Sequence, residues 1–392
     1  MSRRGGFDVA VAGGGVVGAA CALALARLEL SVVLVEAREP PSWQAAEPDL
    51  RVYALAPDNA ALLDGLGVWP QVRAARAQRY RRMRVWDAAG GGELAFDAAA
   101  LGRRELGWIV EHGLLAERLW AALPAAGVQL RCPARVEAME QDGGGVRLRL
   151  DGGDRVEARL AIAADGGAST LRRLAGLALD ARDYRQQGVV GYVRSERPHE
   201  DTAWQRFLPS GPLALLPFTD GRSSIVWTLP DAEAARVLAL DEAAFARELT
   251  AASGARLGEL APVSARAGFP LRLQLARQYL AGRVLALGDA AHVVHPLAGQ
   301  GVNLGLRDVA ALARSVAQAQ ARKAPWDAPH RLARWARTRR SDNTVAALAF
   351  DGLNRLFSNA ELHATLLRGP LLGLAGRLPP LTAMFWKRAS GL

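Results

Sequence analysis

The residues with the most chemical potential lie in one stretch, Gly288-Asp289-Ala-Ala-His292-Val-Val-His295-Pro296-Leu-Ala-Gly299-Gln300-Gly301-Val302-Asn303. Asp289 follows the apolar run Val284–Leu287, so it closes a strand with a free carboxylate that can accept hydrogen bonds from sugar-type hydroxyls. The Pro-Gly-Gly loop after it leads into a helix near Val302. Its bare N–H groups lie where a helix start favours negative charge. His292 and His295 are three residues apart, a spacing that raises a metal pair. No third ligand lies nearby in sequence, so a pocket or structural role is expected and no metal site is assigned.

Two further motifs can be read with this stretch. Gly13-x-Gly15-x-x-Gly18 follows an apolar run and opens a helical one, and Glu36 ends the next apolar run. The glycines allow a tight turn, close approach of backbone to a pyrophosphate, and close packing of helix on strand. The acid can accept from ribose hydroxyls. This fingerprint does not separate NAD from FAD. In the middle of the chain, Leu-Ala-Ile-Ala-Ala leads into Asp165-Gly166, then Ser169 as a helix cap and Arg172. Alone this is an ordinary strand-to-helix connection. In this order the three motifs point to a flavin enzyme. Asp289 then faces a ribityl or ribose hydroxyl, and the N–H groups of Gly299–Asn303 face a ring carbonyl. The helix start would stabilise the negative charge of a reduced ring.

The elements that must hold these residues alternate between strand and helix. Phe7–Ala12, a glycine turn, a helix over Ala19–Leu28 and a strand at Ser31–Glu36 make a βαβ start. Residues 40–50 read as a loop, Asn59–Leu66 and Gly113–Leu123 as helices, and Met83–Asp87 with Glu93–Asp97 as a hairpin. Consecutive strands at Gln187–Ser195, Ala203–Pro209, Leu213–Phe218 and Ser223–Leu229 imply an inserted sheet, followed by one or two helices over Asp231–Ala252. The expected fold class is α/β: a Rossmann-like FAD-binding domain with an inserted mixed β-sheet substrate domain and a helical C-terminus. Residues 1–75, 102–182 and 276–345 are assigned to the first, 76–101 and 183–275 to the second, and 346–392 to the third.

Composition excludes several classes. The 392 residues carry a net charge of +10, nearly all of it arginine, since Lys323 and Lys387 are the only lysines. No basic run interleaved with aromatics marks a nucleic-acid module, and the charge fits an anionic lipid surface or acidic partner. Cys21 and Cys132 make neither a Cys-x-x-Cys nor a metal spacing, which fits a reducing compartment. Ser2-Arg3-Arg4 before an apolar run resembles a twin-arginine signal, but Asp8 and the spaced glycines argue against export.

The three motifs in this order resemble the para-hydroxybenzoate hydroxylase-like group of FAD-dependent monooxygenases. Within it, the chain resembles the ubiquinone-biosynthesis hydroxylases. The likeness extends through Arg51–Leu55, Tyr80–Asp87, Ile109–Leu119, Trp204–Phe218, Leu287–Ala311 and Trp335–Asn343. It implies that Gly13, Gly15, Gly18 and Glu36 hold the ADP half of FAD, with Arg51 near the pyrophosphate. Asp165-Gly166 matches a turn associated with FAD and NAD(P)H, and Asp289 the flavin-binding aspartate. Pro296 matches the proline beside the isoalloxazine ring, and Gly299, Gln300, Gly301, Val302 and Asn303 the loop under its pyrimidine edge. His295, with His292, is a candidate phenol-activating base. The implied reaction transfers one oxygen atom of O2 from a flavin C4a-hydroperoxide to the ring of a polyprenylated phenol or quinol. NAD(P)H is the implied electron donor, bound transiently because no second dinucleotide fingerprint is present. A cytoplasmic location is expected, with contact to the inner face of the membrane, a ubiquinone-synthesis complex or a second copy of the chain. A hydroxylase of a soluble phenol and a non-catalytic flavoprotein scaffold remain the alternatives.

Overall fold

The computed structural model describes residues 6–40, 42–88, 92–294 and 301–357. Its first sheet runs in the order 280–281, 284–286, 155–163, 7–12, 32–35, 129–131, with the hairpin of Val136–Asp142 and Gly145–Leu150 attached to Arg155–Ala163. The central pairs are parallel, and their register puts Ala12 opposite Val35 and Ala163, and Ala163 opposite Ala286. Val32–Val35 and Val284–Ala286 are buried throughout, as parallel strands covered on both faces must be. One row of the sheet therefore ends at residues 12, 35, 163 and 286. The three sequence motifs all begin just beyond it, at the carboxyl edge where open α/β sheets bind ligands.

Nine helices lie among the described residues: α1 (Val16–Ala26), α2 (Pro57–Gly65), α3 (Trp69–Arg76), α4 (His112–Ala122), α5 (Thr170–Leu174), α6 (Asp231–Leu238), α7 (Glu242–Ser253), α8 (Gly301–Ala321) and α9 (Pro329–Phe357). Small and apolar residues nearly all round α1 let it be buried between the sheet, α4 and α8. Val302, Leu306, Val309, Leu312 and Val316 recur at helical spacing along α8 and form its buried stripe.

A second, nine-stranded sheet runs 292–293, 267–276, 179–195, 222–230, 211–217, 202–208, 82–87, 93–97, with 260–262 on the strand 179–195. Side chains alternate between its faces. Val189, Val193, Leu213, Leu215, Ile225 and Trp227 pack under α6 and α7. Tyr192, Ala214, Leu216 and Phe218 face the other way, onto Ala54 and Ile109 of a small antiparallel sheet, 52–55, 107–111 and 78–80. This small sheet joins the two large ones.

The mixed α/β architecture agrees with the sequence reading, and three local features differ. The strand Leu179–Ser195 begins eight residues before the expected Gln187, because residues 179–183 pair with 272–276 across a bulge. Trp69–Arg76, unassigned from sequence, is a helix with Pro at its start and Arg73 and Arg76 in its last turn. The expected boundary at 345/346 falls inside α9, whose Asn343 and Ala347 are both buried, so no break divides the helix there. Most of the assigned C-terminal region, 358–392, lies outside the described residues.

Candidate active site

A cavity of about 430 Å³ opens at the carboxyl edge of the parallel sheet. Gly13, Gly15, Glu36, Arg51, Asp165, Gly166, Asp289 and Val302 line it, so residues up to 289 positions apart in sequence meet in one place. The floor is the glycine turn. Gly13 has φ +102°, and a Cβ there would come within 2.3 Å of the Ala164 carbonyl oxygen. Gly15 precedes α1 with no side-chain cap, and a Cβ on it would meet nothing within 4 Å. The first N–H groups of α1 thus face open space, the condition for an anion to seat there. Gly18 does not line the cavity. A Cβ on it would be 2.0 Å from the Gly13 carbonyl oxygen, so its part is to press α1 against the turn. Glu36 accepts from the Gly14 N–H, and its other oxygen accepts from the Arg38 N–H at 3.0 Å. Trp120 Nε1 donates to the Gly14 carbonyl at 2.6 Å.

The two aspartates behave differently. Asp165 accepts from the Ser169 hydroxyl and from the N–H groups of Thr170 (2.7 Å) and Leu171 (3.1 Å), so its carboxylate anchors the start of α5. The expected Ser169 cap is present, its hydroxyl accepting from the Arg172 N–H at 3.0 Å. Asp289 is exposed at the cavity wall, and among the described residues its carboxylate accepts no hydrogen bond. Arg172 ties the two turns together, donating to Gly167 O (3.0 Å) and Ala290 O (3.2 Å).

Asn303 turns its side chain away from the cavity. It accepts from the Ala56 N–H (2.9 Å) and Asn59 Nδ2 (2.8 Å) and donates to Ala54 O (2.8 Å), fastening α8 to the small sheet and α2. Any ligand contact from Asn303 would therefore be through backbone. Gly301 is the first residue of α8. His295, Pro296, Gly299 and Gln300 lie outside the described residues. His292 is fully buried with Nε2 2.7 Å from Asp308 Oδ2. No group of His, Cys, Asp and Glu among the described residues is arranged to hold a metal ion.

Among the lining residues that the sequence reading did not assign, two carry ionisable side chains in mutual contact. Tyr53 and His112 form a pair at the cavity wall, with Oη 2.7 Å from Nδ1. Burial raises the Tyr53 phenol above its ordinary range, so the hydroxyl keeps its proton. Burial lowers His112, the Arg51 guanidinium adds to this, and Asp49 and Asp289 pull the other way. The direction of the Oη–Nδ1 hydrogen bond is set by the imidazole tautomer. Tyr53 lies two residues after Arg51 on a strand, a spacing that places both on one face and could have flagged it. Nothing local in the sequence marks His112.

A family model described as an FAD binding domain matches residues 6–341. The 3-demethoxyubiquinol 3-hydroxylase of Escherichia coli (strain K12) is 37% identical over 387 residues, covering 98% of each chain. This chain belongs to that FAD-dependent monooxygenase family. It is an FAD-dependent hydroxylase of the ubiquinone-biosynthesis group. The ubiquinone hydroxylase UbiL of Rhodospirillum rubrum is 39% identical over 98% of this chain and 89% of its own length. The human mitochondrial ubiquinone biosynthesis monooxygenase COQ6 is 32% identical over 98% and 92%. Among solved structures, p-nitrophenol 4-monooxygenase PnpA from Pseudomonas putida DLL-E4 superposes with a TM-score of 0.77 at 20% identity, covering 98% of both chains. HpxO of Klebsiella pneumoniae, complexed with FAD and uric acid, gives 0.75 at 20% identity with the same coverage. Those two likenesses bear on the fold.

The residues fit FAD. Among the described residues, a helix start with no side-chain cap suits a diphosphate, Glu36 beside it suits ribose hydroxyls, and the Asp289 carboxylate, without an internal partner, suits a polyol chain.

Proposed function

We propose that this enzyme hydroxylates the aromatic ring of a polyprenylated phenol or benzoquinol on the route to ubiquinone, using O2 and electrons from NAD(P)H. The observation that carries the reading is the convergence of the three motifs on one cavity at the carboxyl edge of the sheet, in a chain matched end to end by ubiquinone hydroxylases. FAD, when bound, supplies the oxygen activation and the electron storage. The chain supplies binding and exclusion of water. In our reading Gly13, Gly15 and the start of α1 take the diphosphate, assisted by Arg51. Glu36 takes the adenosine ribose, with Gly18 keeping α1 close enough for this. Asp289 takes the ribityl hydroxyls. Val302 and the backbone of Gly301–Asn303 take the pyrimidine edge of the ring. Gly299, Gln300, Pro296 and His295 lie outside the described residues, and for them the family resemblance alone carries the reading: Gly299 and Gln300 in the same loop, Pro296 beside the isoalloxazine ring, His295 as the candidate phenol-activating base. Asp165 and Gly166 shape the opposite wall.

The lipid character of the substrate bears on location. Among the described residues no helix is long and apolar enough to cross a membrane. On α9, Arg334, Arg337 and Arg340 are exposed, followed by Val345 and Leu348 at 43% and 59% exposure. Cationic residues followed by apolar ones suit the surface of an anionic bilayer, which supports a peripheral position on the inner face of the membrane, alone or within a biosynthetic complex.

The test is NADPH oxidation by the purified holoenzyme with and without a short-chain prenylated phenol, under labelled O2. Stimulated oxidation with one labelled oxygen in the ring product is expected. Stimulation by an unprenylated soluble phenol alone would favour the soluble-substrate alternative. Loss of bound flavin chromophore throughout purification and reconstitution would overturn the reading.

A further inference from the structure

One buried carboxylate outside the cavity joins three separate segments of the chain. Asp308, on α8, is fully buried. Its Oδ2 accepts from the Gly288 N–H (3.1 Å) and meets His292 Nε2 (2.7 Å). Its Oδ1 accepts from Arg339 Nε (2.8 Å) and Asn343 Nδ2 (3.0 Å), both on α9. All of its lone-pair directions are used. Burying such a charge is costly even when it is paired, and a well-packed apolar cluster would usually serve stability as well. The arrangement suits a group whose task is position. Gly288 is the residue before Asp289, has φ +59°, and leaves only 3.0 Å between its missing Cβ and Val17 Cγ1. On the other side of Asp289, the Ala290 carbonyl is held by Arg172. Both neighbours of Asp289 are therefore clamped, while its own carboxylate has no hydrogen-bond partner among the described residues.

We propose that Asp308 is a positioning residue for the cofactor turn, fixing Asp289 through the Gly288 N–H and tying that turn to α9 through Arg339 and Asn343. This rests on the reading of Asp289 as a ligand of the FAD ribityl chain. It makes α9, none of whose described residues lines the cavity, a contributor to cofactor affinity. His292 completes the clamp from the strand His292–Val293, with the Tyr279 ring stacked beside it at 6.2 Å.

The experiment is FAD binding to the full-length apoprotein, followed by quenching of flavin fluorescence, with the apoprotein melting temperature measured in parallel. The variants are Asp289→Asn, Asp308→Asn and the pair together. Asp289→Asn is expected to weaken binding at least tenfold and Asp308→Asn about tenfold. The double variant should be no weaker than about twofold below Asp289→Asn, because the second residue acts through the first. Asn343→Ser removes one donor from α9 and guards against a misfolded Asp308 variant. It is expected to weaken FAD two- to fivefold in the wild-type background and not at all on Asp289→Asn. His292→Gln, which keeps a donor, should hold near wild-type affinity. Unchanged affinity in Asp289→Asn overturns the cofactor reading of Asp289 and the clamp with it. A clear loss in Asp289→Asn with losses that multiply in the double variant overturns the clamp alone, as does a set of variants that lowers melting but not affinity.

Discussion

The turns after Ala163 and Ala286 begin alike and end differently. Both follow adjacent parallel strands in register, both present an aspartate at the cavity, and both contain a glycine with positive φ, Gly166 and Gly288. Yet the Asp165 carboxylate is consumed by Ser169, Thr170 and Leu171, whereas the Asp289 carboxylate has no such partners among the described residues. The cause is the path the chain takes beyond each aspartate. After Asp165 the chain enters a helix at once and its N–H groups turn back on the carboxylate. After Asp289 a single short turn leads to the strand His292–Val293, which joins the second sheet. An aspartate whose carboxylate faces the first N–H groups of a helix is drawn into capping. Asp289 sits inside the three-residue 3-10 turn Gly288–Ala290, whose closing N–H, that of Ala291, goes to the Gly288 carbonyl, so its carboxylate remains available to a ligand.

Substitutions can break this contrast. Asp289→Ala is expected to weaken FAD by one to two orders of magnitude, about 1.4–2.8 kcal/mol, while the melting temperature of the apoprotein barely moves. Asp165→Ala should do the reverse. Removing the carboxylate under Thr170 and Leu171 costs roughly 1–3 kcal/mol of stability, read by denaturant unfolding of the apoprotein, with any loss of FAD affinity arising from a loosened α5. Equal effects of the two substitutions on FAD would erase the distinction. A smaller effect is expected at the third wall. Tyr53→Phe deletes the hydroxyl hydrogen-bonded to His112 and should cost about 0.5–1.5 kcal/mol, with a histidine resonance shift visible by NMR.

The smallest expected effect is pH-dependent. The folded protein holds His112 below the ordinary histidine value, through burial and then Arg51. Folding therefore disfavours its proton. Apoprotein stability from this group is complete above about pH 6.5, falls as pH drops below that, and levels off below the folded value. His112→Gln should flatten this window. Asp308, which His292 and Arg339 hold below its ordinary carboxylate value despite burial, contributes stability that is lost only as pH falls below that ordinary value.

The cavity's strand-end motifs were legible because each is local. A strand, a glycine and an acid lie within a few residues, and the chemistry comes from that order. What was not legible depends on pairing between distant segments. Tyr53 and His112 meet because Val52–Leu55 pairs antiparallel with Gly107–Glu111, a register no short window contains. Asn303 has the right residue type in the right loop, yet its amide is drawn off by Ala54, Ala56 and Asn59, almost 250 positions away. The division at 345/346 followed a change in hydropathy, but α9 continues because Asn343 and Ala347 find buried partners on both sides of it.

The strand Val284–Ala286 lies beside Arg155–Ala163 although more than a hundred residues separate them. During synthesis the ribosome delivers Arg155–Ala163, and then the strands of the second sheet from 179–195 to 267–276, before this neighbour exists. Until then the edge of Arg155–Ala163 carries unpaired backbone groups, an open template for association with other chains. The cavity is also incomplete at that stage, because Asp289 and Val302 reach its wall only afterwards. Closure of the cavity wall is thus a late event in the life of each chain, and the interval before it is when the nascent protein depends most on whatever covers that edge.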